Sequence, residues 1–251
     1  TLTNLHKTPW PWFGGKSDAA PLAWEAMGDP DHYVEPFAGS LAVLLRRPHV
    51  ANRSYHSETV NDLDGDLMTF WRVLRDQPDE LERACALTPH SRAELAVAAD
   101  LDMPDLERAR RIFVRLTQSR SHSMKQTGWW YRKRPTGHSP VDYVRSYHER
   151  IHEAAERLSR VALESRDALD LIRDYGDEPS VCLYVDPPYL GETRATNYRV
   201  EMASDGAHTA LSEALNACRA SVVLSGYDSP LYAVLFDGWH RTELPGATAL
   251  S

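Results

Sequence analysis

The sequence predicts an α/β fold built on a mostly parallel sheet, and three observations carry that expectation. Short apolar runs recur along the chain, each closing on a turn that carries Gly, Pro, Asp or Ser. Segments of helical periodicity separate these runs, the alternation expected of parallel strands joined by crossover helices. Acidic residues gather where the runs end, which is where open α/β sheets hold their ligands.

The first strand is expected over His32-Tyr33-Val34-Glu35-Pro36-Phe37, running into Ala38-Gly39-Ser40, after which Leu41-Ala42-Val43-Leu44-Leu45 should start a helix. A second strand, Ser57 to Val60, reaches Asn61-Asp62-Leu63-Asp64. From about Asp66 to Ser159 the pattern changes. There Leu67 to Leu74, Glu80 to Leu87, Ala93 to Leu101, Arg108 to Leu116 and Val141 to Leu158 read as helices, with a polar loop from Ser119 to Pro140. Strands resume with Val161 to Glu164 before Ser165-Arg166-Asp167, then Val181 to Val185 before Asp186, then Ser221 to Gly226. Trp239 to Leu244 predicts one more. Sheets of this kind usually finish with a hairpin partner, so the sequence is expected to be incomplete beyond Ser251. The division that results is a sheet domain from residues 1–65 and 160–251, interrupted by a helical insertion over 66–159.

The 251 residues and 42% hydrophobic content suffice for a core domain with an insertion. No apolar stretch approaches the roughly 20 residues that span a bilayer, and the N-terminus has no signal-peptide pattern. A membrane partner is therefore not expected. Cys85, Cys182 and Cys218 form no Cys-x-x-Cys pair, so neither a disulfide framework nor a zinc site is indicated, and a soluble, reducing compartment is expected. The net charge of −8 argues against nucleic acid. Its distribution reverses that. From Arg108 to Arg134 there is no acid and nine basic residues. Because screening limits reach to roughly 8–10 Å, a local patch matters more than the sum.

The residues with most chemistry are Asp186-Pro187-Pro188-Tyr189, directly after the apolar run Val181 to Val185. A carboxylate, a carbonyl aimed by stiff prolines and an aromatic face suit capture of a planar amine such as adenine; the plain alternative is a strand followed by a proline turn. Glu35 to Ser40 gives a strand end, a tight turn with Gly39 and a helix start, suited to close approach of a ligand. The dinucleotide fingerprint Gly-x-Gly-x-x-Gly is absent. Asp62 lies where an acid can bind ribose hydroxyls, although a helix N-cap would use the same residue type. Trp12-Phe13-Gly14-Gly15-Lys16-Ser17 ends like a phosphate loop, but Trp10 occupies the position of its first glycine, which counts against ATP hydrolysis. His148-Glu149-Arg150-Ile151-His152 is a literal His-Glu-x-x-His with charged flanks and no announced third ligand, although Glu164 or Glu178 stays open. Ser121 to Arg134 interleaves charges with Trp129, Trp130 and Tyr131. Arg120, Lys125, Gln126, Arg132, Lys133 and Arg134 are its candidate DNA-binding residues, by phosphate anchoring or base reading. A solvated basic loop with its tryptophans packed inward is the alternative.

Taken in order, these motifs resemble the Dam-like, D12 class of DNA adenine N6-methyltransferases. Trp12 to Lys16 is similar to that family's Trp-x-Gly-Gly-Lys start, Glu35 to Ser40 to its Glu-Pro-Phe-x-Gly loop, Asp62 to its Asp-x-Asn segment, and Asp186 to Tyr189 to its catalytic tetrapeptide. Asp167 falls at a third acidic strand end. The resemblance implies a class I S-adenosylmethionine-dependent methyltransferase with a Rossmann-like sheet and a helical target-recognition insertion, no metal, double-stranded DNA as partner, and a cytoplasmic setting in a bacterial cell or a phage host. Trp12 and Lys16 would hold the methionine end of the donor. Glu35, Phe37, Ala38 and Gly39 would line its loop, Asp62 bind its ribose and Asp167 face its adenine amine, with Asp186 at the same site. Asp186 and the Pro187 carbonyl would accept the N6 hydrogens of the target, and Tyr189 would stack on it. Leu41 stands where the family often has a second glycine, and Asp64 replaces the usual asparagine. N4-cytosine or RNA adenine methylation, and a nucleic-acid-binding relative without turnover, are the alternatives.

Overall fold

The computed structural model of the protein describes residues 6–12, 15–48, 56–125, 127–132, 139–188 and 204–243. Five strands form one all-parallel sheet: β1 (His32–Glu35), β2 (Ser57–Asn61), β3 (Ala162–Glu164), β4 (Val181–Val185) and β5 (Ser221–Leu224), in the order β3-β2-β1-β4-β5. The chain winds outward from β1 to β3, then crosses to β4 on the other side. The crevice of such a sheet opens at that reversal, beyond the carboxyl ends of β1 and β4. All five residues of β4 are buried, as a central strand covered on both faces requires.

Ten helices complete the described chain: α1 (Ala20–Met27), α2 (Gly65–Asp76), α3 (Pro78–Ala86), α4 (Arg92–Val97), α5 (Asp105–Gln118), α6 (Pro140–His148), α7 (Ile151–Leu158), α8 (Ala168–Gly176), α9 (Asp205–Asn216) and α10 (Pro230–Leu235). Side-chain oxygens fix several of the starts. Asp64 accepts from the amides of Asp66 and Leu67 to begin α2, and Ser91, Ser139, Asp167, Ser204 and Ser229 cap α4, α6, α8, α9 and α10. Aspartate caps as well as asparagine does, which accounts locally for Asp64.

The period-2 geometry of the strands sorts the core into two faces. Tyr33, Val60 and Tyr184 point to one side and meet Trp24 of α1, Phe70 and Trp71 of α2, Phe113 of α5 and Leu158 of α7. Val34, Leu183 and Val185 point to the other and meet Leu171 and Ile172 of α8 and Leu211 and Leu215 of α9. Helices α2, α3, α5, α6 and α7 thus share the core of the first sheet face, while Leu95 of α4 packs with Ala98, Val114 and Trp129 in a separate small cluster. Trp10 anchors the N-terminal segment in that core, fully buried with its ring centroid 4.4 Å from those of both Phe70 and Trp71. Its packing role fits the absence of a phosphate-loop glycine there.

Four expected elements differ. No α-helix follows Ser40; only a 3-10 turn, Leu44–Arg46, forms. Gly39 at φ 49° and Leu41 at φ 55° are left-handed and cannot enter a right-handed helix. The expected Ala93–Leu101 helix stops at Val97, where the chain tightens as the Ala99 and Asp100 amides donate to the Ala96 and Val97 carbonyls. Arg111 donates to the carbonyls of Val97 and Asp100, and Arg115 to those of Ala98 and Ala99. The single helix expected over Val141–Leu158 is two, broken at Glu149 and Arg150, where Arg150 donates to the carbonyl of Thr8 at 3.0 Å. Residues 239–243 form no strand. Trp239 instead packs on Phe236 and donates to Asn216 at 2.8 Å, and Leu244 lies outside the described residues.

Candidate functional site

The loop after β1 is held from three directions. Asp62, just past β2, accepts the Gly39 amide at 3.0 Å, and its other oxygen accepts the Asp64 amide at 2.9 Å. Asp64, rather than Asp62, is thus the N-cap of α2. Trp71 of α2 donates to the Gly39 carbonyl at 3.1 Å. The Trp12 indole lies so close that a Cβ at Gly39 would sit 3.2 Å from its Nε1, so both the left-handed backbone and this contact require glycine there. Leu41 adopts the conformation that a glycine would adopt without strain, and its fully buried side chain offsets the cost of roughly 1–2 kcal/mol. Beneath the loop, buried Asn61 donates to the carbonyls of Pro36 and Arg166 and accepts the Arg166 amide, fastening the ends of β1, β2 and β3 together.

Asp186 is positioned by sheet register. Val185 pairs with Leu224, so the next residues, Asp186 and Ser225, emerge side by side. Ser225 donates to Oδ1 of Asp186 at 2.8 Å and shares a 3.1 Å contact with the Tyr184 hydroxyl. Lys16 Nζ lies 2.9 Å from Oδ2. Both carboxylate oxygens are therefore oriented. Burial, and then the charge of Asp186, pushes the Tyr232 hydroxyl up to about 12. That hydroxyl meets Nδ1 of fully buried His208 at 2.9 Å, and the Tyr232 ring fills the space above Gly226. Pro187 is buried; Tyr189 lies outside the described residues.

Glu35 is 3% exposed and accepts from the Tyr33 hydroxyl at 2.8 Å. Burial raises its carboxyl well above the ordinary range; the Tyr33 bond opposes this, and the charges of Asp186 and Asp62 add to the rise. A raised folded value means that Glu35 stabilises the fold fully below the ordinary carboxylate pKa and that this contribution fades as pH rises through the folded value. Glu35→Gln should remove the dependence. Urea midpoints of wild type and variant are expected to diverge as pH rises from 4 to 8, with wild type losing ground; parallel curves would refute it.

Trp12, Lys16, Glu35, Phe37, Ala38, Gly39, Asp62, Asp167 and Asp186 all line one cleft, which encloses about 1070 Å³ of empty space open to solvent. The structure adds Leu63, Leu169, Tyr184 and Ala207 to its wall. No sequence motif marks Ser225. Its only signal is a hydroxyl residue at a strand end, which acquires meaning once β5 is known to lie beside β4.

The acid-free run separates into two parts. Arg110 and Arg111 pair with Glu107 at 2.7 and 2.8 Å, Arg110 also meets Glu94, and Arg108 lies 3.8 Å from Asp66. Arg115 is buried on backbone carbonyls. These four arginines hold helices together, so the patch is narrower than the sequence count suggested. Among the other candidates, Arg120 lies 5.9 Å over the Tyr131 ring and Arg132 5.7 Å over Trp130, while Tyr131 stacks on Trp129 at 5.5 Å. Arg120, Lys125 and Arg132 do not line the cleft. Gln126, Lys133 and Arg134 lie outside the described residues. His148 ends α6 and His152 sits in α7, so the His-Glu-x-x-His residues straddle a helix break; His152 pairs with Glu82 at 2.6 Å. Glu164 faces Arg166, Glu178 accepts from Ser180, and among the described residues no group of three His, Cys, Asp or Glu could hold a metal ion.

A five-stranded parallel sheet in this order, with its cleft beyond β1 and β4, fits the α/β class I methyltransferases. More particularly, residues 12–98 match the family model described as D12 class N6 adenine-specific DNA methyltransferase, and the match indicates an adenine-specific DNA methyltransferase. The matched stretch contains Trp12, Lys16, the Glu35–Ser40 loop and Asp62; Asp167 and Asp186 lie beyond it. Comparison with curated proteins finds no match. Among the described residues no helix is long and apolar enough to cross a membrane.

Proposed function

We propose that the protein transfers a methyl group from S-adenosylmethionine to N6 of an adenine flipped out of double-stranded DNA. The observation that carries this reading is Asp186, with one oxygen on Ser225 and the other on Lys16, at the wall of the cleft that contains the glycine loop. The donor fits that cleft chemically. Phe37, Leu63 and Leu169 offer apolar surface to a purine, while Asp167 and Asp62 retain acceptor capacity beyond their amide bonds, for an adenine amine and ribose hydroxyls. Glu35 and Trp12 complete the wall near Gly39. Bound there, the donor supplies an electrophilic methyl on sulfur.

The chain does the rest by acceptor chemistry. The N6 lone pair of adenine is delocalised into the ring and is a poor nucleophile. Asp186 and the Pro187 carbonyl would each accept one N6 hydrogen, localising that pair and stabilising the positive charge as the N6–methyl bond forms. The methyl–sulfur bond would break with its electron pair staying on sulfur, and one N6 proton would then leave to solvent by way of Asp186. Tyr189 stacks on the base, and alignment supplies further acceleration. The 2.9 Å ion pair favours a role for Lys16 at the acceptor carboxylate over one at the methionine end of the donor. Extrusion of the base costs a few kcal/mol, and segment 66–159 is assigned to DNA recognition, with Arg120, Lys125, Gln126, Arg132, Lys133 and Arg134 on the substrate. Action on DNA sets the enzyme in a bacterial or phage-host cytoplasm.

Transfer of labelled methyl to duplex DNA, followed by nucleoside analysis, should yield N6-methyladenine. Label in N4-methylcytosine, in RNA alone or in neither nucleic acid contradicts the reading. Neutralising Arg132, Lys133 and Arg134 together should flatten the salt dependence of DNA binding, by about one unit of slope for each phosphate the loop no longer neutralises. Unaltered affinity and slope would remove the loop from the interface.

A further inference from the structure

Behind the wall formed by Trp12, Gly15 and Ser40 lies a second cleft of different character, about 700 Å³ of empty space open to solvent. Lys7, Arg46 and Arg150 line it, together with the hydroxyl residues Thr8, Ser17 and Ser40, and among the described residues no carboxylate does. This is unlike Arg108, Arg110 and Arg111 of α5, which face glutamates and aspartates. Arg150 is held in place: its guanidinium donates to the Thr8 carbonyl at 3.0 Å and lies 4.5 Å over the ring of Tyr147. Arg46 sits on the short turn after the glycine loop, and Lys7 on the segment that Trp10 anchors in the core. Three cationic residues from three parts of the chain therefore line one cleft whose described lining holds no acid.

A cleft lined by cations and hydroxyls suits an oxyanion with several acceptor oxygens, which an arginine can engage with two parallel bonds. The location narrows the source. The cleft adjoins the candidate active site through Trp12, and Tyr147 and Arg150 come from the helical segment assigned to DNA recognition. On the reading above, a duplex presenting one base to Asp186 while held by the helical segment would pass its backbone close to this cleft, which residues of both parts line. We infer that this second cleft binds a backbone phosphate of the nucleic-acid substrate, with Lys7, Arg46 and Arg150 as its cationic contacts. The inference rests on the methyltransferase reading above but concerns residues outside its cleft.

The test is duplex DNA binding by wild type, the Lys7→Gln/Arg46→Gln variant and the separate Arg150→Gln variant, from 50 to about 300 mM salt. S-adenosylmethionine titration and thermal melting run alongside as controls. The double variant is expected to bind DNA roughly tenfold more weakly and to lose about 1–2 units of salt slope. Donor affinity and melting temperature should be retained. A double variant with wild-type affinity and slope overturns the inference while leaving the methyltransferase reading intact. A wild type that neither binds nor methylates DNA overturns both, a result visible without any variant. Inorganic phosphate, followed by ³¹P line broadening, separates the sources: phosphate binding abolished in the variant with DNA affinity unchanged assigns the cleft to a free anion and overturns the backbone assignment.

Discussion

Asp186→Ala should reduce methyl transfer by at least about 10³-fold while the protein still binds S-adenosylmethionine. Removal of one preorganised hydrogen-bonding group from a reacting centre commonly costs 10²–10³-fold, roughly 3–4 kcal/mol. The expected loss lies at the upper end because the carboxylate is fixed at both oxygens, by Ser225 and Lys16, before substrate arrives. Donor affinity should survive because Asp186 is one of many wall residues, and the Gly39 loop is held by Asp62 and Trp71 rather than by Asp186. Single-turnover rates and calorimetric donor titration separate the two effects. Unchanged turnover would remove Asp186 from the mechanism, and loss of donor binding with unchanged melting would make it a cofactor residue instead. Ser225→Ala gives the graded comparison. It frees Oδ1 without deleting it, so a loss of roughly tenfold is expected, with partial recovery in Ser225→Thr.

How much of this was legible depended on whether the deciding interaction was local. Val181 to Val185 could be read because a strand buried on both faces is apolar at every position. Asp62, Asp167 and Asp186 could be read because their strands announce where they stop. The missing helix after Ser40 could not. Leu41 to Leu45 has helical composition, and what prevents the helix is a pair of left-handed residues, of which Gly39 is held by Asp62, Trp71 and Trp12, all remote in sequence. The end of α4 is likewise tied to a remote element, since arginines from α5 hold the carbonyls of Val97, Ala98 and Ala99 where it stops. The acid-free run shows the limit of charge counting: Glu94, Glu107 and Asp66 lie outside it in sequence but neutralise part of it in space. Ser225 becomes visible only through the register of β5 on β4.

The largest stability effect is expected from Glu58→Ala. Glu58 lies on β2 with its side chain 11% exposed, accepting two bonds from Arg157 at 2.6 and 2.7 Å and one from Arg47 at 2.9 Å. Burial works against its charge, but the bonds and charges of Arg157 and Arg47 prevail and hold its carboxyl below the ordinary range. Removing the acid leaves two largely buried guanidiniums short of a partner, a loss of about 3–5 kcal/mol in comparable sites. Arg47 retains Asp29 at 3.1 Å, which places the expectation near the lower figure. Because the folded value is depressed, Glu58 stabilises above the unfolded carboxylate pKa, and that contribution is lost as pH falls through the folded value. The stability gap between wild type and Glu58→Ala should therefore be widest near neutrality and close in acid, as read from urea midpoints at pH 7 and below 4. A constant gap would assign the loss to packing. Arg157 also donates to the Leu44 carbonyl at 3.2 Å, at the far end of the segment that begins with Gly39. Loosening it should raise the KM for the donor and leave kcat near wild type, because Ser225 and Lys16 hold Asp186 independently of Glu58. That split is opposite to the one expected of Asp186→Ala, so the pair distinguishes support of the cofactor loop from the chemistry of transfer.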